Sequence, residues 1–272
     1  MANGTSKFAW NQESVNSLVH DEANKTHVLR PFFPLFGKQG SYTTSIPGHR
    51  IKHLSPQNNE IYPLSIPINQ CLTPIILSRD LIIFREQFDK PDTLNQVVRE
   101  AAYRVSMAED AVILLGPDAK ELIRNLGVKA DADQLAEQTP LLAKGAPPVS
   151  GPILESIIQG IEELERNWRF GRYAAIVSLD LWREAHKPYT EHALVAPIHE
   201  IEPLLIEKGF VYSSLLPRKT GVIFSLNGDA IKMAVPVDTS VELVEERESV
   251  ILQVVKQIRL VVDIPEAVVA LR

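Results

Sequence analysis

His186, His192 and His199 come nearest to a chemical cluster in this chain, with Tyr189, Glu191 and Glu200 interleaved. Imidazoles titrate near neutral pH and can carry protons or hold a metal. The intervals of six and seven residues, broken by Pro188 and Pro197, do not put these rings on one helix face, so no metal site is expected. Taken alone, the segment reads as a solvated loop. The adjacent acids Glu109 and Asp110 suggest acid–base work, but at i,i+1 on a helix their side chains diverge and cannot share a proton. They read as structural. Cys71 lies in an apolar, strand-like run and is expected to act as a small buried hydrophobe. The sequence has no glycine-rich phosphate loop and no GxSxG, HExxH or CxxC pattern. No catalytic residue and no cofactor are expected.

The elements that would position these residues begin with a long amphipathic helix from Thr93 to Leu115. Leu94, Val98, Ala101, Val105, Ala108, Val112 and Leu115 recur at helical spacing, Asp92 is the expected N-cap, and Gly116-Pro117 stops the helix. A strand from Val250 to Val262 alternates. Its even positions are apolar apart from Lys256, and its odd positions include Gln253, Gln257, Arg259 and Asp263. Thirteen residues at about 3.3 Å each give about 40 Å, far longer than a usual strand. Such a pair suits an extended plate.

An N-terminal helix from Asn11 to Leu29 is ended by Pro31 and Pro34. The stretch from Gly37 to Asn59 is polar and proline-broken, while Ile61–Ile68 and Leu72–Leu77 are strand-like. Lys120 to Gly151 reads as irregular, followed by a helix from Pro152 to about Asn167 and a buried strand from Tyr173 to Leu179. A short helix at Pro203–Lys208 precedes a strand at Phe210–Ser213. Thr220–Leu226, Asn227-Gly228 and Ala230–Val237 read as a β-hairpin with a type I′ turn. Helices and strands are segregated rather than alternating, which makes the class α+β and disfavours a Rossmann or barrel enzyme.

The composition, 45% hydrophobic and 23% charged over 272 residues, is that of a folded globular chain. A net charge of −6 argues against a nucleic-acid coat. A single cysteine cannot form an intramolecular disulfide, which suits a reducing cytoplasm. Residues 1–10 lack the pattern of a secretory signal, and no apolar run is long enough to span a membrane.

Several collinear segments resemble the encapsulins, linocin-type shell proteins of bacteria and archaea with the fold of tailed-phage major capsid proteins. They are Leu77-Ser78-Arg79-Asp80-Leu81, the helix end from Ala108 to Gly116, Gly171-Arg172-Tyr173-Ala174-Ala175-Ile176-Val177, Val237-Asp238-Thr239-Ser240, and Val261 to Val269. The resemblance covers residues 63 to the C-terminus well and residues 10–40 loosely. It implies a tail and inner helix (1–36), an extended arm reaching over a neighbouring subunit (37–75), a peripheral domain carrying the spine helix and the long strand (76–128 and 236–272), and an apical domain (129–235). It further implies a non-enzymatic shell, closed by many copies (60 in the smallest icosahedron) around a peroxidase or a ferritin-like iron-handling cargo. The cargo's short terminal tail would dock at Arg30, Phe32, Phe33, Asp238, Thr239 and Ser240. His186, Tyr189, His192 and His199 would meet their copies in a pore around the fivefold axis. Some encapsulins hold a flavin through aromatics before the spine helix. Phe84 and Phe88 stand there without a tryptophan, and no flavin is expected. A phage major capsid protein is the alternative.

Overall fold

The computed structural model describes residues 12–36, 45–54, 64–84, 90–146, 148–188, 195–246 and 249–272. In chain order come helix α1 (Gln12–Thr26), strand β1 (Leu35–Phe36) and the arm strands β2 (Ile46–Leu54) and β3 (Leu64–Leu72). Strand β4 (Ile75–Phe84) leads to the spine helix α2 (Pro91–Leu115), then α3 (Lys120–Asn125), β5 (Lys129–Ala130) and α4 (Ala132–Ala136). Next are α5 (Ile153–Arg166), β6 (Tyr173–Val177), α6 (Leu179–Ala185), α7 (Ile198–Ile201), β7 (Phe210–Tyr212) and β8 (Gly221–Ser225). The chain closes on β9 (Ile231–Glu246), β10 (Ser249–Val262) and β11 (Val268–Ala270).

Helix α2 buries Val98, Ala101, Val105, Ala108 and Val112 completely, as their spacing requires. Ala111, Ile113 and Leu114 are buried as well, so its C-terminal half is enclosed on more than one side. Its start differs from expectation. Lys90 is the N-cap and gives no side-chain capping hydrogen bond, Pro91 opens the helix with its fixed φ, and Asp92 lies in the first turn. Gly116 ends the helix at φ +53°, where a Cβ would come within 2.9 Å of the Gln138 carbonyl oxygen.

A five-stranded sheet, in the order β1-β9-β10-β4-β5, packs against this helix. Strand β10 runs antiparallel to both its neighbours, and Val250, Leu252, Val254, Ile258 and Leu260 are buried. The two-faced reading of this strand holds only in its first half. Beyond Lys256 the odd residues Arg259 and Val261 are also buried, because the second face is covered there. Arg259 donates from Nη1 to the carbonyls of Thr73 (3.3 Å) and Gln134 (3.1 Å), and from Nη2 to that of Glu137. Val261 packs with Ile46 at the root of the arm.

Strand β9 is longer than its pairing needs, and the surplus appears as three register shifts against β10. One shift sets Asp238 and Thr239, between Val237 and Ser240, opposite Lys256. A bulge of this kind re-aims side chains out of strict alternation. A second shift contains Pro236, which has no N–H to give to a ladder.

The smaller sheet has the order β11-β8-β6-β7, and all five residues of β6 and of β8 are buried. Helix α5 lies close on it at Gly160, where a Cβ would meet Ile223 Cγ2 at 2.6 Å. The expected hairpin between β8 and β9 does not form. Strand β8 pairs with β6 and β11, while β9 pairs with β10 and β1. Gly228 does take positive φ (72°), but Asn227 donates its side-chain amide to the carbonyl of Gly171, 3.0 Å away. The Asn-Gly turn therefore carries the chain from one sheet to the other. The last strand, β11, also belongs to the smaller sheet.

Among the described residues, the arm strands β2 and β3 pair only with each other, antiparallel from Ile46↔Leu72 to Leu54↔Leu64. Cys71 is exposed on this ribbon rather than buried, because a two-stranded arm has no core of its own. The strand expected at Leu72–Leu77 is split at Pro74 into the end of β3 and the start of β4. The stretch expected to be irregular holds α3, β5 and α4, the last capped by Asp131, which accepts from the N–H groups of Asp133 and Gln134. The helical turn expected at Pro203–Lys208 lies earlier, at residues 198–204.

Candidate functional site

Residues 27–30, which join α1 to the segment before β1, are held by the buried Leu29 side chain and by a set of polar and charged contacts. Asp110 Oδ2 accepts the N–H of Val28 at 3.1 Å. Lys256, fully buried, contacts the Glu109 carboxylate and donates to His27 Nε2 at 2.9 Å. An ammonium only donates, so Nε2 of His27 is the unprotonated nitrogen. Burial, reinforced by Lys256 and Arg30, lowers the His27 pKa to about 4 against the pull of Glu109. Burial, with Glu109 adding to it, raises Asp110 to about 7, and the N–H groups of Val28 and Leu29 limit that rise. With both groups neutral, Glu109 and Asp238 balance Lys256 and Arg30.

Arg30 forms a two-pronged pair with Asp238, at 3.0 and 2.8 Å. Asp238 also lies 3.7 Å from Lys256 and 3.4 Å from His20 Nδ1. Although burial opposes it, the Arg30 hydrogen bonds and the Lys256 charge hold its carboxyl well below the usual carboxylate range. The bulge in β9 makes this possible by turning Asp238 toward the connector.

Of the six expected docking residues, Arg30 and Asp238 meet each other across the chain, while Phe32 and Phe33 pack on Phe224. Arg30, Phe32, Asp238 and Ser240 are partly exposed, whereas Thr239 and Phe33 are closed off within the subunit, at 4% and 3% exposure. The Phe33 ring lies 5.4 Å from that of Phe224, and Phe32 meets the same ring edge-on at 6.0 Å. Of the expected pore residues, His186 and His199 are exposed, and His186 stacks on Trp182 with ring centres 3.9 Å apart. Tyr189 and His192 lie outside the described residues.

The sequence reading missed the partnership of His27, Glu109 and Lys256. Its signal was present. Lys256 is the one charge on the apolar register of β10, and Glu109-Asp110 interrupt the apolar end of α2. Among the described residues, no group of three histidines, cysteines or acids is placed to hold a metal, and no helix is long and apolar enough to cross a membrane.

A long spine helix on a sheet of long strands, an outlying two-stranded arm and a second small sheet define the capsid-like class of shell proteins. Solved structures agree. The virus-like particle from Pyrococcus furiosus superposes with a TM-score of 0.67 at 15% identity, covering 96% of this chain and 98% of that one. The capsid of Myoviridae phage XM1 gives 0.59 at 14% identity, covering 90% of both chains. The holo-SrpI encapsulin complex from Synechococcus elongatus PCC 7942 gives 0.56 at 10% identity, covering 99% and 91%. These likenesses establish the fold. The chain itself belongs to the Linocin M18 family, described as encapsulating protein for peroxidase, whose sequence model matches residues 6–258. No curated protein matches it. It is an encapsulin shell subunit, a structural protein and not an enzyme.

Proposed function

We propose that this subunit closes with copies of itself, 60 in the smallest icosahedron, into a cytoplasmic compartment around a cargo enzyme, a peroxidase or a ferritin-like iron-handling protein. The observation that carries this reading is the family match over residues 6–258 on a chain with the capsid-like fold. The net charge of −6 favours a protein cargo over packed DNA, which counts against a phage capsid role for the same fold. Negative-stain microscopy of the purified protein should show uniform shells, and size exclusion should give a megadalton particle. A stable species of ~30 kDa, the mass of one chain, at physiological salt would sink the assembly; DNA-filled heads would favour the alternative.

The cargo's terminal tail docks at the region of Arg30, Phe32, Asp238 and Ser240. The half-buried Phe32 and the pinned Arg30–Asp238 pair support this, being held in place before any partner arrives. Replacing Phe32 with Asp should lower cargo co-purification while shells still form, since truncating a partner-facing aromatic typically costs about 2 kcal/mol or more. Loss of assembly would instead show that Phe32 serves the core. The loop carrying His186, Tyr189, His192 and His199 meets its copies around the fivefold axis as a pore.

A further inference from the structure

Between α1, α2 and the β7 edge of the smaller sheet lies a cavity of about 670 Å³, within the range of small-molecule sites. Tyr103 and Met107 of α2, Trp182 of α6 and Tyr212 of β7 line its walls. The Trp182 and Tyr212 rings are 5.2 Å apart and inclined at 53°, an aromatic corner that suits a flat ring. Asp110 also lines the cavity, and it is only 4% exposed. Its Oδ2 accepts the Val28 N–H, the Leu29 N–H also acts on the carboxyl, and Oδ1 is buried without a hydrogen-bond partner. Buried polar atoms are almost always paired, so the unpaired oxygen of a carboxyl that lines a cavity points to a donor from outside the protein. Glu22 and Lys25, also among the lining residues, contribute opposite charges.

We propose that this cavity binds a small aromatic or heteroaromatic amine, its ring against Trp182 and Tyr212 and its N–H donating to Asp110 Oδ1. Burial raises Asp110 to about 7, so near neutrality the carboxyl can meet a ligand N–H as the carboxylate or share its proton with a ring nitrogen. A carboxylate ligand would meet a second acid here and is disfavoured. None of the cavity's lining residues belongs to the proposed cargo-docking set, so the site is independent of the cargo reading.

Assembled shells of the full chain should bind 2-aminobenzimidazole saturably, read by equilibrium dialysis and saturation-transfer NMR, with benzoate at least tenfold weaker. Met107→Trp, which fills the cavity without altering the acid, and Asp110→Asn should each weaken binding at least tenfold while shells keep their size under the microscope. Should either variant fail to assemble, Tyr212→Ala, at a 44% exposed residue, supplies the same comparison. Absence of saturable binding, equal binding of benzoate, or unchanged affinity in the shell-forming variants would overturn the proposal. Displacement of the amine by the cargo's terminal peptide would assign the cavity to cargo and overturn it too.

Discussion

Lys256, Glu109, His27 and Asp110 each occupy a position where a single misplaced charge is expensive, and together they nearly cancel. A buried pair adds little stability over an apolar one but is costly to break, which makes it an effective way to fix where residues 27–30 dock. Its pH behaviour is distinctive. The His27 midpoint is lowered from 6.5 to about 4, so its contribution is present above pH 6.5 and is lost as pH falls toward 4. The Asp110 midpoint is raised from 3.8 to about 7, so its contribution is complete below pH 3.8 and is lost as pH rises toward 7. Between about pH 4 and 6.5 the two slopes oppose each other, each about 1.4 kcal/mol per pH unit, and offset. Relative to the parent protein, Asp110→Asn should gain stability with rising pH across this window, and His27→Gln should lose it. Denaturation midpoints at pH 4.5, 5.5 and 6.5 test this. Two variants that run parallel to the parent would show that the residues are not coupled to folding.

Among the elements, α5 depends on Gly160 for its distance from the smaller sheet. With Ile223 Cγ2 at 2.6 Å and Leu271 Cδ2 at 3.1 Å from an added Cβ, Gly160→Val should destabilise by about 1–3 kcal/mol through overpacking. An unchanged midpoint would mean that the helix can slide on the sheet. The arm makes a different demand. Among the described residues, strands β2 and β3 pair only with each other, and a two-stranded ribbon is marginal in water, so it needs another surface. Deleting residues 45–56 should abolish closed shells and leave the subunit's circular dichroism largely intact. Normal particles after that deletion would show the arm to be dispensable.

At the scale of the whole molecule, exposed Ile82, Phe84, Leu243 and Val244 lie on the end of the large sheet that pairs Phe84 with Ser249 and Leu243 with Leu252. Apolar area of this kind marks an interaction surface, as a shell subunit requires. If five loops converge at a pore, protonated histidines lie within a Debye length of about 8 Å at physiological salt and repel. Acidifying from pH 7.5 to 5.5 should then change the rate at which small cations enter the lumen, and His192→Gln should flatten that response. An identical pH profile in the glutamine variant would leave His192 as a solvated loop residue.

The spine helix, the long strand, the buried strand β6 and the α+β class were legible in the sequence because each is written in a local period of apolar residues. So was membership of the shell family, through collinear segments. Pairing was not local, and there the reading failed. Asn227-Gly228 has the composition of a hairpin turn, yet β8 and β9 lie in different sheets because each finds its partners far along the chain. Alternation along β10 could not show that Arg259 would be covered by the backbone of residues 73, 134 and 137. Nor could it show that a bulge would turn Asp238 toward Arg30, 208 residues away. Periodicity sets which face of an element is apolar. Only the packed structure decides which charges become one another's neighbours, since that depends on contacts between segments with no sequence relation.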